Sequence, residues 1–120
     1  MSALDRAGLY ALLEASEDLD LFTKHAEPPD QIAGPALIVA GRDPYQDYNT
    51  FGELTTYLTV SILIPRTHGP AMDLIDATLA TLRAIYTGIR GCQIGSTTLG
   101  LTDRIGGVEY VAAMTQVTLS

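Results

Sequence analysis

From Glu53 to Ile64 the chain alternates between two kinds of side chain. Leu54, Thr56, Leu58, Val60, Ile62 and Ile64 fall on one side, and Glu53, Thr55, Tyr57, Thr59 and Ser61 on the other. A period of two over this length predicts a β-strand with one face in a core, and Pro65 is expected to end it. A helix would mix the two sets around its circumference, so this segment commits the chain to a sheet.

The other elements are read around that strand. Ser2 can cap a helix that runs to Ala15 or Ser16, with Asp5 in its first turn and Leu4, Leu9, Leu12 and Leu13 near one side. Alternation from Leu19 to Lys24 is a weak strand signal, and the prolines of "EPPDQIAGP" make a turn-rich link. "ALIVA", Ala36 to Ala40, suits a buried strand. Further on, Pro70 is placed at the first helical position, with Asp73 and Asp76 near the positive end of the helix dipole. Met72, Ile75, Leu79, Leu82 and Ile85 or Tyr86 recur at helical spacing until Gly88 closes the helix. Two closing strands, Cys92 to Leu101 and Val108 to Leu119, are joined by "TDRIGG" as a tight hairpin turn. In the last strand Val111, Ala113, Val117 and Leu119 oppose Tyr110, Ala112 and Met114, so both faces are expected to be partly covered. The resulting expectation is one α+β domain over residues 1–120, in the order α-β-β-β-α-β-β. Its sheet is mostly antiparallel, packed by one long and one short helix.

Charge and reactive residues exclude several functions. With 14 acidic against 7 basic residues the net charge is -7, and the single lysine, Lys24, stands apart from the arginines. A surface that neutralises phosphates needs clustered cations, so sequence-independent nucleic-acid binding is disfavoured. Cys92, the one cysteine, cannot form an intramolecular disulfide, and cytosolic assembly is the default expectation. The first twenty residues lack a signal-peptide pattern, and no stretch approaches the length of a membrane span. His25 and His68 have no partner at ligand spacing, which favours a surface reading over a metal site. Cys92 lacks an identifiable activating histidine and reads as a small buried thiol. No catalytic residue, cofactor site or metal site is expected.

"GRDPYQDYNTFG", Gly41 to Gly52, reads as a loop between two strands, yet it carries three aromatic rings, two aspartates and an arginine. Asp43, Asp47 and Asn49 alternate as in a calcium loop, but Tyr48 stands where that loop needs glycine and Leu54 where it needs glutamate. "GCQIGSTTLG" has no lysine and is no phosphate loop. Two readings of the aromatic segment stay open. Tyr45, Tyr48 and Phe51 either fold back over the sheet edge as a local core or serve as contacts for another protein. Tyr57 and Thr59 read first as a solvated sheet face.

Taken in order, "PALIVAGRDPY", the segment ending "TFG", "ELTTYLTVSILIPR", "AMDLIDATLATLRAIY" and "GGVEYVAAMTQVTLS" resemble the tail terminator (tail completion) proteins of long-tailed bacteriophages. The likeness lies in the succession of segments, over nearly the whole chain. It implies a virion structural protein, without enzymatic activity or cofactor, that self-associates into a ring, usually a hexamer. The ring would cap the tail tube, end its elongation and provide the surface on which the head docks. The implied partners are the tail tube protein and head-tail connector proteins, with DNA passing through unbound and no membrane involved. The implied location is the tail and neck of the virion, after assembly in the host cytoplasm. Under this resemblance the contact candidates are Arg42, Asp43, Tyr45, Asp47, Tyr48, Phe51 and Tyr57. Two other readings remain: a head-closure or head-tail connector protein, and a small ligand-binding or enzymatic α+β domain, which would need a convergent polar pocket.

Overall fold

A computed structural model describes residues 5–26, 34–48, 52–66, 69–105 and 108–120, with the side chains of Asp43 and residues 101–108 left aside. It shows a mixed α+β fold with two α-helices. Helix α1 covers Arg6–Ala15, followed by a 3-10 turn at Glu17–Leu19 and strand β1 at Thr23–His25. Strands β2 (Ala36–Tyr48) and β3 (Leu54–Pro65) come next, then helix α2 (Ala71–Thr87), β4 (Cys92–Ile105) and β5 (Val108–Leu119). The five strands form one sheet in the order β1-β2-β3-β5-β4. β1 joins β2 in parallel, and the other three pairings are antiparallel.

The element order predicted from the sequence is corrected by these assignments. A 3-10 turn stands between α1 and β1; of the strand suggested from Leu19 to Lys24 only Thr23 and Lys24 enter β1, while Leu19 closes the 3-10 turn and Leu19 and Phe22 are both buried in the main core. β2 does not stop at Ala40 but continues through Tyr48, and β4 runs past Leu101 to Ile105. Strand therefore takes up residues assigned to loops, since backbone pairing with a neighbour overrides weak local propensity. The hairpin residues Gly106 and Gly107 lie outside the described residues, as does most of the proline-rich link.

The helix ends shift as well. Ser2 lies outside the described residues, and Asp5 is the N-cap of α1, its Oδ1 accepting from the Gly8 N–H at 2.8 Å. Pro70 occupies the N-cap position of α2 rather than its first turn, and Leu74 N–H donates to the Pro70 carbonyl at 3.2 Å. Gly88 closes α2 as expected.

The helices lie on one face of the sheet. Leu9 and Leu13 of α1 and Ile75, Leu82 and Tyr86 of α2 pack onto Leu37, Val39, Leu58, Val60, Ile62, Ile64, Ala113, Val117 and Leu119. The even-numbered residues of β3 thus face the core from Thr56 to Ile64, as the alternation predicts. Each fully buried aliphatic side chain contributes about 1.5–3 kcal/mol by leaving water, so this layer supplies most of the driving force. Met72 and Leu12, expected in the core, are exposed, because a single covered face admits only a narrow stripe from each helix. Thr78 takes a core position instead and satisfies its hydroxyl by donating to the Leu74 carbonyl at 2.7 Å. α1 is tied to β1 by Tyr10, whose hydroxyl donates to the Lys24 carbonyl at 3.0 Å.

On the opposite face Ala36, Ile38, Leu63, Tyr110 and Ala112 form a second, smaller buried cluster. Both faces of β5 are therefore covered near Tyr110 to Ala113, as its double pattern predicts. No helix is long and apolar enough to cross a membrane among the described residues.

Candidate interaction surface

The residues singled out between Gly41 and Gly52 sit on an antiparallel arm. Gln46, Asp47 and Tyr48 of β2 pair with Thr56, Thr55 and Leu54 of β3. β5 reaches only as far as Thr56, where Leu119 is its partner, so the end of this hairpin projects past the rest of the sheet. Residues 49–51, Phe51 among them, lie outside the described residues.

A large bulge sets the arm's geometry. Gly41 pairs with Leu58 and Gln46 with Thr56, leaving residues 42 to 45 of β2 opposite Tyr57 alone. Pro44 lies within this interruption, where its missing N–H breaks no ladder bond. The bulge aims two side chains inward. Arg42 lies over the Tyr57 ring, its Cζ 5.3 Å from the ring centroid, which is cation-π geometry. Tyr45 folds its ring against Gly41, and a Cβ at position 41 would sit 2.5 Å from Tyr45 Cδ1. Any larger residue at position 41 would have to displace that ring.

Side chains beyond the bulge turn outward. Tyr48 is 67% exposed and Leu54, its partner across the strands, 37%, while Tyr45 keeps 39% of its surface in solvent. Of the two open readings of the aromatic segment, a local core does not describe Tyr48, whereas Tyr45 packs back on Gly41 while part of its ring stays exposed. The Asp47 carboxylate accepts from the Tyr48 N–H at 2.9 Å, a local contact that stiffens the arm. Arg42 is only half-buried, yet its Nε is enclosed and finds no hydrogen-bond partner among the described residues.

The structure thus brings together Arg42, Tyr45 and Tyr57, with Asp47 and Tyr48 further along the same arm. It does not place the Asp43 side chain or Phe51. Leu54 was not expected to take part, because the alternation put it on the core face. Its exposure accords with its place beyond Thr56, where β3 no longer has β5 beside it, which the pattern of β3 alone does not reveal.

Besides Asp47 and Glu53 at the arm, further acidic side chains lie away from it. Glu14, Glu17, Asp18 and Asp20 are exposed at the end of α1 and the 3-10 turn, and Asp73 and Asp76 near the start of α2, all in the helical layer. On the helix-free face of the sheet, Tyr57, Thr59 and Ser61 of β3 adjoin Met114, Gln116 and Thr118 of β5, none of them charged. That face is half-buried along β3 rather than openly solvated as first read.

His25 shares a contact of 3.1 Å between its Nε2 and Thr23 Oγ1, and His68 lies outside the described residues. No group of three His, Cys, Asp or Glu able to hold a metal occurs among the described residues. Burial raises the pKa of the Cys92 thiol, which disfavours the thiolate. A shallow hollow of about 470 Å³ lies over Asp18, Ala80, Thr81, Ala84 and Ile85, a mostly small and apolar lining without convergent polar groups. The chain matches no protein-family model and no curated protein.

Proposed function

We propose that this chain is a structural protein of a phage tail that associates with copies of itself into a ring, capping the tail tube and presenting the surface on which the head docks. One observation carries the reading: an arm that projects past its own sheet and exposes Tyr45, Tyr48 and Leu54 beside the half-buried pair Arg42 and Tyr57. Exposed aromatic rings next to an arginine are the composition of protein-contact hot spots, and they cost apolar hydration until a partner covers them. The order of segments resembling tail terminators supplies the identity of the partners: neighbouring copies, tail tube protein and head-tail connector proteins. A passive role in DNA passage fits a chain of net charge -7.

Native mass spectrometry over a concentration series tests the ring, for which six copies of 12.8 kDa give about 77 kDa. Joining of heads to tails in vitro, with the Tyr45→Ala, Tyr48→Ala double variant, tests the arm. Unchanged joining by a folded double variant would remove the arm from the docking role. Capture by portal protein instead of tube protein would favour the head-tail connector reading.

A further inference from the structure

Beside strand β4 the helical layer leaves an apolar groove open. β4 occupies an edge of the sheet and, among the described residues, pairs with β5 alone. Its Ile94 and Leu99 lie opposite Val117 and Ala113, both core residues, and so point to the helix side. Neither is covered there, and 39% and 46% of their surfaces stay in solvent. α2 forms the other wall, where Leu79 and Arg83 meet Ile94 and Thr97 across a narrow cleft. Met72, two turns before Leu79 on the same flank of α2, is exposed as well. From Cys92 to Leu101 there is no charged residue. The α2 wall carries one base, Arg83, and one acid, Asp76, two turns away toward Met72. Arg83 is exposed and has no ion-pair partner among the described residues.

The arm carries the matching surface. Tyr48 and Leu54 face each other across β2 and β3, both are exposed, and each is preceded by an exposed carboxylate, Asp47 and Glu53. The groove of the same chain is out of reach. Thr56, Leu119 and Cys92 align across β3, β5 and β4, and the arm extends to one side of that line while Ile94 to Leu99 run to the other. A second copy therefore supplies the arm. Packing Tyr48 and Leu54 onto Ile94, Leu99 and Met72 removes apolar surface from water on both partners, and Arg83 gives the arm's carboxylates a counter-ion. Arm and groove are different parts of one chain, so the contact repeats head to tail, as a ring needs, instead of closing after two copies.

From this arrangement we infer that the groove between α2 and β4 receives the Tyr48–Leu54 arm of a second copy of this chain. The inference rests on the self-association proposed above and specifies which two surfaces meet. Ile94, Leu99 and Met72 are the floor and walls on which the arm's apolar side chains rest, and Arg83 sets the end at which its carboxylates lie.

Photocrosslinking tests this. Tyr48 is replaced by p-benzoylphenylalanine, which keeps an aromatic ring at an exposed position, and the chain is mixed with isotope-labelled unaltered protein. Peptide mass spectrometry should find the probe attached to the labelled copy at Met72, Ile94 or Leu99. Attachment only within the probe's own chain, or to another surface of the labelled copy, would overturn the inference. A ring-sized species in native mass spectrometry with attachment elsewhere would overturn it while leaving the ring intact. Monomer throughout, with no attachment between copies, would also overturn it, and the ring reading would then be decided by the head-joining assay. A second variant, Leu99→Glu, sets a carboxylate against the acidic arm at an exposed position. It should lower the assembled species about tenfold or more at an unchanged thermal midpoint, while Leu99→Met retains it. Undiminished assembly by Leu99→Glu would count against the groove.

Discussion

The guanidinium of Arg42 lies over the ring of Tyr57, 5.3 Å from Cζ to centroid, at the one point where four residues of β2 face a single residue of β3. Cation-π pairs at partly exposed sites are worth about 0.5–1 kcal/mol. A double-mutant cycle with Arg42→Ala and Tyr57→Leu, read by urea denaturation, should give a coupling of about that size. Strict additivity would mean that the two side chains are merely adjacent.

Gly41 and Tyr45 are coupled by space rather than charge. An alanine methyl would sit 2.5 Å from Tyr45 Cδ1, so Gly41→Ala must displace the ring. Because that ring is partly exposed and can swing toward solvent, the substitution should cost about 1 kcal/mol or less in the native background, the low end of overpacking, and less still when Tyr45 is also alanine. Equal costs in both backgrounds, measured as shifts in unfolding free energy, would refute the close packing.

At the start of α1, Asp5→Ala removes the only side-chain acceptor of the Gly8 N–H. Loss of such a cap costs about 0.5–2 kcal/mol, and Asp5→Asn should recover most of it. Chemical denaturation of the three proteins at one pH gives the comparison.

Tyr86 is buried in the main core and its hydroxyl has no hydrogen-bond partner among the described residues. Burial, followed by the neighbouring Cys92 thiol, raises its pKa strongly. The folded state therefore holds the phenol proton more tightly than the unfolded state does. The associated stability is fully present below the unfolded pKa of about 10 and is lost as pH rises above it. Tyr86→Phe should be near neutral at pH 7, because it removes an unpaired polar group, and should flatten the decline above about pH 10. Cys92 and Tyr110 are raised by burial too, so the measurement is the difference between the two proteins across that range. Identical alkaline profiles would count against burial of the Tyr86 hydroxyl.

Much of the covered layer was legible because periodicity reports directly on burial. The alternation of β3, the Ile75, Leu82 and Tyr86 stripe of α2 and the two-sided pattern of β5 each appear in the core where expected. Misreadings cluster where backbone pairing decides the outcome. "GRDPYQDY" carries glycine, proline and two aspartates and reads as loop, yet it is strand with a bulge, because β3 pairs with it on both sides of the bulge, at Gly41 and again from Gln46 to Tyr48. Leu19 to Lys24 reads as strand, but only Thr23 and Lys24 belong to β1; Leu19 closes a 3-10 turn, and Leu19 and Phe22 are both buried in the main core.

The candidate surface divides in the same manner. Its composition of tyrosines, an arginine and aspartates was visible in the linear chain, since side-chain chemistry does not depend on partners distant in sequence. Which rings are free was not visible. Tyr45 is held against Gly41, Arg42 is seated on Tyr57 and Tyr48 is left in solvent by the register between β2 and β3, and that register is a property of two strands together. The sequence by itself determined which segments must bury a face and how the charge is apportioned along the chain. Only the tertiary structure decided where the sheet ends, because an edge exists only by virtue of which strands have no further neighbour.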